Sequence, residues 1–161
     1  MKQRLFILSQ YLLPHHLLSR LIGCVAECRI GWLKNPLISW FAKQYQVNMS
    51  EAQVEDLRTY EHFNAFFTRA LKDGARPLDE TPGAILSPAD GAISQLGAIE
   101  HGRIFQAKGH SFSAVELLGG NAERAAPFMG GQFATVNLSP KDYHRVHMPL
   151  GGTLKEMVYV P

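Results

Sequence analysis

The first 45 residues carry three apolar stripes at helical spacing. Apolar residues recur every three or four positions, and Pro14 and Gly31 separate the stripes. The stripes are Leu5, Leu8, Leu12, then Leu18, Leu21, Ile22, Val25, and then Leu33, Leu37, Trp40, Phe41. This period predicts three short amphipathic helices. A fourth short helix is predicted around residues 63–71, where Phe63, Phe66, Phe67 and Leu71 keep the same spacing.

Beyond Pro77 the pattern changes, because Gly and Pro become frequent and short apolar runs alternate with turns. The runs Ala92–Ile99, Arg103–Ala107 and Gln132–Leu138 are predicted to be strands. Ser113 and Glu116 have the spacing of a capping box, which predicts a short helix after Ser113. The chain is therefore predicted to be α+β, with a helical region over residues 1–75 and a β-rich region over residues 76–161.

The end of the chain carries two further local signals. Ser139 followed by Pro140 predicts a helical turn that continues through His144. Val146–Leu150 and Thr153–Val160 flank two glycines, which predicts a β-hairpin. Because its last strand would need another partner, we expect a truncated, incomplete half-domain of the β-sandwich or barrel-like type.

Charge is distributed unevenly along the chain. The first 43 residues contain six Lys or Arg residues and one acidic residue, Glu27, whereas the whole chain has a net charge of +2. The stretch after Leu5 is interrupted by Pro14 and two histidines, so it is shorter than the roughly 20 apolar residues that span a bilayer. It also lacks the cleavage site of a signal peptide.

Two interpretations of the helical region remain open. The apolar stripes either face the protein's own core or lie in a membrane interface, as basic amphipathic helices with Trp and Phe do. The basic charge favours an anionic membrane surface as the partner. Nothing in the composition indicates a nucleic-acid partner.

The densest chemical cluster runs from Asp142 to Pro149 and contains Tyr143, His144, Arg145 and His147. A neutral imidazole can accept or donate a proton near pH 7, so the two histidines are candidates for acid–base catalysis. A metal site would need further ligands, and the other histidines are scattered, so no metal is predicted. A purely structural cluster is the remaining alternative.

Asp90 follows Ser87-Pro88-Ala89 at a turn that opens a predicted strand. A carboxylate there could orient a histidine, as in a nucleophile–His–Asp relay, although Pro-x-Asp-Gly is also ordinary turn chemistry. None of the serines lies in a Gly-x-Ser-x-Gly elbow. The residues thus indicate a base and its orienting acid without an attacking group.

Four motifs together resemble bacterial phosphatidylserine decarboxylases, and the resemblance extends over essentially the whole chain. In order they are Phe63–Arg69, Ser87–Gly91, Gln106–His110 and Leu138–Pro149. The Asp-Tyr-His-Arg-x-His-x-Pro run is the most specific of them. The resemblance implies a lyase of phospholipid biosynthesis that is made as a proenzyme and cuts itself before the serine of a Leu-Gly-Ser-Thr motif.

The resemblance also implies a cofactor and residue roles. The serine becomes a covalent pyruvoyl group, which accepts electrons while phosphatidylserine loses carbon dioxide to give phosphatidylethanolamine. By position, Asp90 matches the orienting acid, His147 the general base of self-cleavage, and His144 the histidine of decarboxylation. The implied partners are the anionic lipid substrate, a membrane surface, a C-terminal pyruvoyl-bearing chain and a second copy in a homodimer. The implied location is peripheral, on the cytoplasmic face of the bacterial inner membrane.

The sequence departs from the family at one point, because it contains no Leu-Gly-Ser-Thr. The chain alone is therefore expected to be inactive, as a fragment, as one half of a split enzyme or as an inactive remnant. A rival hypothesis is a non-catalytic β-sandwich carrier module that would carry a modified lysine. Lys108 and Lys141 are its candidates, although neither stands at an evident hairpin tip.

Overall fold

The computed structural model describes residues 14–105 and 111–160. Its residues divide into two compact units at the step from Arg76 to Pro77. The first predicted helix, over Leu5–Leu12, and the motif Gln106–His110 lie outside the described residues.

The first unit is helical. Its elements are α1 (His15–Ala26), α2 (Gly31–Gln44), a 3₁₀ turn (Leu57–Thr59) and α3 (Phe63–Phe67). The helices predicted from the second and third stripes are confirmed as α1 and α2. The fourth predicted helix is confirmed as α3, although it ends at Phe67 because the chain then enters a bridge between Ala52 and Leu71.

The core of this unit forms where α3 packs on α2. Its buried members are Ile38, Ala42, Val47 and Phe66. Phe41 meets Phe66 edge to face, with ring centroids 6.1 Å apart at 82°, an arrangement that aromatic pairs favour. At its border the Tyr60 hydroxyl donates to the Val54 carbonyl at 2.6 Å. Burial raises the pKa of Tyr60, and the nearby Arg69 charge partly opposes this rise.

A histidine ties the end of α1 to the start of α3. Nδ1 of His62 accepts from the Ala65 N–H at 3.1 Å and so caps α3. In the neutral ring the hydrogen is therefore on Nε2, which lies 3.3 Å from Oε2 of Glu27, the C-cap residue that follows α1. The Asn64 amide donates to the other oxygen of the same carboxylate at 2.9 Å. Glu27 thus links the two helices through two contacts.

The apolar stripe of α1 is exposed. Leu21 and Ile22 remain 56% and 59% exposed, and Trp32 at the start of α2 remains 78% exposed. Further exposed apolar side chains on these helices are Leu17, Leu18, Val25, Leu33 and Trp40. In the described part of the chain, no helix combines the length and the apolar character needed to cross a membrane.

Over its described residues, the second unit contains two small antiparallel sheets and three short helical segments. The strands are β1 (Ala92–Ala98), β2 (Arg103–Phe105), β3 (Ser111–Ser113) and β4 (Gln132–Asn137), with β1 paired to β4 and β2 to β3. The helical segments are α4 (Ala114–Leu117), α5 (Ala122–Ala125) and a 3₁₀ turn over Ala126–Phe128. The predicted strands at β1 and β4 are confirmed, and the strand predicted over Arg103–Ala107 is confirmed as far as Phe105, its last two residues lying outside the described part of the chain. Strand β3 was not predicted. The predicted capping box is confirmed at α4, where the Ser113 N–H donates to the Glu116 carboxylate at 3.3 Å.

A bulge in β1 brings apolar side chains onto one face. The register of β1 against β4 shifts between Ile93 and Gln95, so Ser94 is the extra residue. Without it Ile93 and Leu96 would point to opposite faces, whereas with it both lie on one face of the sheet. They are 61% and 66% exposed.

Two predictions for the end of the chain are wrong. Residues 139–144 form a hydrogen-bonded turn and no helix. Residues 153–160 have no regular secondary structure and are exposed, and they form no hairpin with Val146–Leu150, because the latter segment pairs elsewhere. They are held to α5 by Arg124, which donates to both carboxylate oxygens of Glu156 at 3.1 and 2.7 Å.

The described residues confirm the α+β class. They contain helices and small antiparallel sheets, and their two pairs of strands do not by themselves constitute a sandwich or a barrel. That part of the predicted fold stays a prediction.

Candidate active site

Asp90 is half-buried in a turn immediately before β1. The next residue, Gly91, lies so close to β4 that a Cβ atom on it would come 2.4 Å from the Asn137 carbonyl oxygen. No side chain fits there without a shift of backbone, so glycine allows the chain to enter β1 directly after the carboxylate. The Pro-Ala-Asp-Gly turn thereby fixes Asp90 at the edge of the β1–β4 sheet.

The segment before Asp90 pairs with the segment that contains His147. The Leu86 N–H donates to the Pro149 carbonyl at 3.0 Å, and the His147 N–H donates to the Pro88 carbonyl at 2.8 Å. These two pairs keep one antiparallel register, in which each hydrogen-bonded pair would normally exchange two bonds. Each pair makes one, because the second donor would be the nitrogen of Pro149 or Pro88, which has no hydrogen.

The ring of His147 is held by Tyr143. Nε2 of His147 lies 2.9 Å from the Tyr143 hydroxyl oxygen, and the two rings are stacked with centroids 5.4 Å apart at 22°. Tyr143 is 9% exposed and belongs to the buried residues of this unit, whereas His147 is exposed. A buried phenol therefore presents an imidazole at the surface.

The ring of His144 is held by a backbone carbonyl instead. Nε2 of His144 lies 3.0 Å from the Ser139 carbonyl oxygen. A carbonyl can only accept, so Nε2 carries the ring hydrogen and Nδ1 is the basic nitrogen of the neutral ring. The same carbonyl accepts the Asp142 N–H at 2.9 Å, while the Asp142 carboxylate accepts the Ser139 N–H at 2.6 Å.

This network explains why the predicted helical turn is absent. In a helix the Ser139 carbonyl would accept the N–H of residue 143. Here the side chains of Asp142 and His144 bond to the backbone of Ser139, an alternative that competes with helix formation. His144 therefore stands at the end of a tight turn, three residues before His147, which pairs with Pro88.

The three predicted site residues lie on two chain segments that are neighbours in space. His147 is hydrogen-bonded through its backbone to Pro88, two residues before Asp90, and His144 lies three residues before His147. Their catalytic roles stay predictions. Sequence reasoning missed the role of Tyr143, although its spacing of four residues from His147 was a usable signal.

The described residues contain no candidate set of metal ligands. Within residues 14–105 and 111–160, no group of three or more His, Cys, Asp or Glu side chains is placed to hold one. The titratable side chains singled out in this region are two imidazoles, a carboxylate and a phenol.

Comparison with known proteins assigns the whole chain to one group. A family model described as phosphatidylserine decarboxylase matches residues 63–161, and a second, described as PSD, matches residues 5–46. A phosphatidylserine decarboxylase proenzyme of Ectopseudomonas mendocina is 91% identical over all 161 residues. Proenzymes of the same name from Pseudomonas fluorescens and Pseudomonas putida are 81% and 82% identical over the same length. The chain spans 56% of the length of each of these relatives.

Proposed function

The chain belongs to the phosphatidylserine decarboxylase family, and on that premise we propose that it forms the acid–histidine half of a self-cleaving active site. The complete enzyme would convert phosphatidylserine to phosphatidylethanolamine and carbon dioxide. The observation that carries the proposal is the pairing of the Pro88 segment with the His147 segment. It brings Pro88, two residues before the proposed acid Asp90, next to the backbone of the proposed base.

In the proposed self-cleavage, His147 accepts the proton of a serine hydroxyl supplied by the C-terminal part of the enzyme. The serine oxygen then attacks the carbonyl that precedes it, which moves the chain from an amide to an ester. The Asp90 carboxylate stabilises the imidazolium that forms, because opposite charges at short range favour the charged ring. As the carbon–nitrogen bond of the amide breaks, His147 gives the proton to the amine nitrogen. In a later step a base removes the Cα hydrogen of the esterified serine, the carboxylate leaves, and the two chains separate.

Decarboxylation is proposed to use His144. When present, a pyruvoyl group supplies a ketone that binds the substrate amine and withdraws electrons as carbon dioxide leaves. The Ser139 carbonyl fixes the ring hydrogen of His144 on Nε2, so Nδ1 is the nitrogen that exchanges a proton with the reacting substrate. The side chains at this site fit as neighbours of a pyruvoyl group. The Leu-Gly-Ser-Thr motif from which that group would form does not occur in this sequence.

A C-terminal, serine-bearing chain is proposed to cover the exposed face of the β1–β4 sheet. Ile93 and Leu96 lie together on that face and are more than half exposed. Large contiguous apolar patches on a protein surface mark interaction sites, and these two side chains would form part of one. This observation supports a partner segment. A single chain carries no contact that bears on the predicted homodimer, which stays a prediction.

The helical unit is proposed to lie on the cytoplasmic face of the bacterial inner membrane. The exposed apolar stripe of α1 with the exposed Trp32 and Trp40 of α2, together with the basic charge of this region, suits a helix pair embedded at the headgroup level. An anionic phospholipid substrate is present at the same surface. The enzyme would therefore take its substrate from the bilayer without crossing it.

The proposal is tested by joining the chain to the remaining part of the Ectopseudomonas mendocina relative. We expect the joined protein to separate into two chains and to release carbon dioxide from phosphatidylserine vesicles. His147→Gln and Asp90→Asn should slow the separation by about 100-fold or more. His144→Gln should separate normally and release no carbon dioxide.

A well-folded joined protein that neither separates nor forms product would overturn the proposal. So would a His147→Gln variant that separates at the unsubstituted rate. Intact-mass measurement of the chain itself addresses the carrier hypothesis, because a lysine adduct would favour that alternative.

A further inference from the structure

Tyr143 makes the closest side-chain contacts of the proposed base, yet the self-cleavage described above does not use it. Its hydroxyl lies 2.9 Å from Nε2 of His147, and its ring stacks on the imidazole at 22°. Its side chain is buried while that of His147 is exposed. A buried tyrosine that supports an exposed histidine by two independent contacts fixes the orientation of that ring.

We propose that Tyr143 is a positioning residue for self-cleavage and that it selects Nδ1 of His147 as the nitrogen that accepts the serine proton. The inference rests on the proposed function of His147. In this arrangement Tyr143 orients the His147 ring, and Asp90 acts on the ring through its charge.

The selection follows from the two nitrogens of the imidazole. Nε2 is occupied by the Tyr143 hydroxyl, so Nδ1 is the nitrogen that remains for an incoming hydroxyl. For Nδ1 to be a base in the neutral ring, Nε2 must carry the hydrogen, and the Tyr143 oxygen then accepts it. When the serine proton moves to Nδ1, the ring becomes positive and the bond from Nε2–H to Tyr143 becomes charge-assisted and stronger.

The proton balance of the step is complete without further groups. The O–H bond of the serine breaks, an N–H bond forms at Nδ1, and the serine oxygen forms its bond to the preceding carbonyl carbon. The carbon–nitrogen bond of the amide then breaks, and the same proton passes from Nδ1 to the amine nitrogen. The later elimination is a separate step, in which a base takes the Cα hydrogen and the carboxylate leaves with the former serine oxygen. Tyr143 keeps its own hydroxyl hydrogen throughout.

The main chain of His147 is held in place as well as its ring. The His147 N–H donates to the Pro88 carbonyl at 2.8 Å, so the main chain and the ring of His147 are both held. A base that is fixed at two points loses little rotational freedom when the nucleophile arrives, and misplacement by about 1 Å can cost on the order of 100-fold in rate. Removal of the Tyr143 hydroxyl should release the ring without moving the backbone.

The test compares Tyr143→Phe with the unsubstituted sequence in the joined protein described above. The phenylalanine keeps the stacked ring and removes the hydroxyl. We expect separation into two chains to slow by about 10-fold to 100-fold. Carbon dioxide release per pyruvoyl group, measured on the fraction that has separated, should stay within about threefold of the unsubstituted enzyme, because decarboxylation is proposed to use His144.

Tyr45→Phe is the matched control, because it removes a tyrosine hydroxyl from a ring that packs on Phe41 in the helical unit. It should leave both rates unchanged. If Tyr143→Phe separates at the unsubstituted rate while His147→Gln does not separate, the inference is wrong and the proposed function stands. If Tyr143→Phe slows both steps equally, Tyr143 has only a structural role, and the inference is again overturned.

A second substitution covers the case in which Tyr143→Phe does not fold. Difluorotyrosine at position 143 keeps the ring and the hydroxyl but makes the hydroxyl more acidic. We expect the pH profile of separation to shift while that of carbon dioxide release does not. An unchanged separation profile would count against the inference, and normal separation by His147→Gln would instead contradict the proposed function itself.

Discussion

The backbone N–H of His147 donates to the carbonyl oxygen of Pro88 at 2.8 Å. Residues 59 positions apart in the sequence are joined by this bond, and Asp90 follows Pro88 by two residues. Together with the bond from Leu86 to Pro149 it aligns the two motifs in one antiparallel register. The proline at each pair removes the second donor, so this alignment depends on two backbone bonds.

These two bonds predict a pattern of amide hydrogen exchange in the chain. The amides of Leu86 and His147 should exchange at least about tenfold more slowly than those of Val146 and Met148, because only alternate amides of a paired strand point at the partner. Exchange followed by two-dimensional NMR measures all four. Equal rates at His147 and its two neighbours would contradict the pairing.

Gly91→Ala should destabilise the second unit. The added Cβ would meet the Asn137 carbonyl oxygen at 2.4 Å and Val136 Cγ1 at 3.0 Å, so backbone must move, at a cost of about 1–3 kcal/mol. Thermal unfolding followed by circular dichroism measures the loss. Gly151→Ala is the control, because a Cβ there meets nothing within 4 Å, and a similar loss in both variants would show that close approach is not the cause.

His62→Ala should destabilise the helical unit by about 1 kcal/mol, because the N–H of Ala65 loses its acceptor. His62→Asn should retain most of the stability, since asparagine also caps helices well. Both tryptophans of the chain, Trp32 and Trp40, lie in α2, so urea unfolding followed by tryptophan fluorescence reports on this unit. An asparagine variant as unstable as the alanine variant would argue against the cap.

The contact between Arg124 and Glu156 predicts a pH dependence. Hydrogen bonds from Arg124 lower the pKa of the Glu156 carboxyl below its ordinary value of 4.5. Because the pKa of Glu156 is lower in the folded state than in the unfolded state, its contact with Arg124 contributes fully to stability above pH 4.5. This contribution is lost as the pH falls through the pKa that Glu156 has in the folded protein. Carboxyl titration by NMR should show this lowered value, and Arg124→Gln should return it to about 4.5. A Glu156 titration unaffected by Arg124→Gln would contradict the contact.

The exposed stripe of α1 predicts membrane binding by the chain itself. Leu21→Gln combined with Ile22→Gln should reduce binding to phosphatidylglycerol-containing vesicles by about tenfold or more, because two apolar side chains no longer enter the interface. Vesicle sedimentation measures the bound fraction. Leu154→Gln removes an exposed leucine from the other unit and should bind as before. Unchanged binding by the double variant would contradict the membrane proposal.

The local patterns that were predicted correctly are those that a few neighbouring residues decide. The stripes of α1 and α2 have a full helical period, and β1 and β4 are apolar runs bounded by turn residues. Ser113 and Glu116 cap α4 across three positions. In each case the sequence interval that carries the signal is also the interval that forms the hydrogen bonds.

The predictions that failed concern residues whose partners are distant or are side chains. Gly151-Gly152 favours a hairpin, but Val146–Leu150 lies next to residues 86–88 instead, and no local pattern records that competition. The helical turn predicted through His144 does not form, because the side chains of Asp142 and His144 make hydrogen bonds with the backbone of Ser139 instead. Such bonds depend on how the chain enters the turn, which is set outside it.

The sequence by itself determined the α+β class, most of the helices and strands, the three candidate residues and the resemblance to a family, because periodicity and motif order are properties of the chain alone. The tertiary structure decided that Asp90 and His147 belong to neighbouring segments and that Tyr143 holds the histidine ring. It also decided that Ile93 and Leu96 share one exposed face. These facts depend on strand register and on a single bulged residue, and a shift of one position would reverse every side chain that they describe.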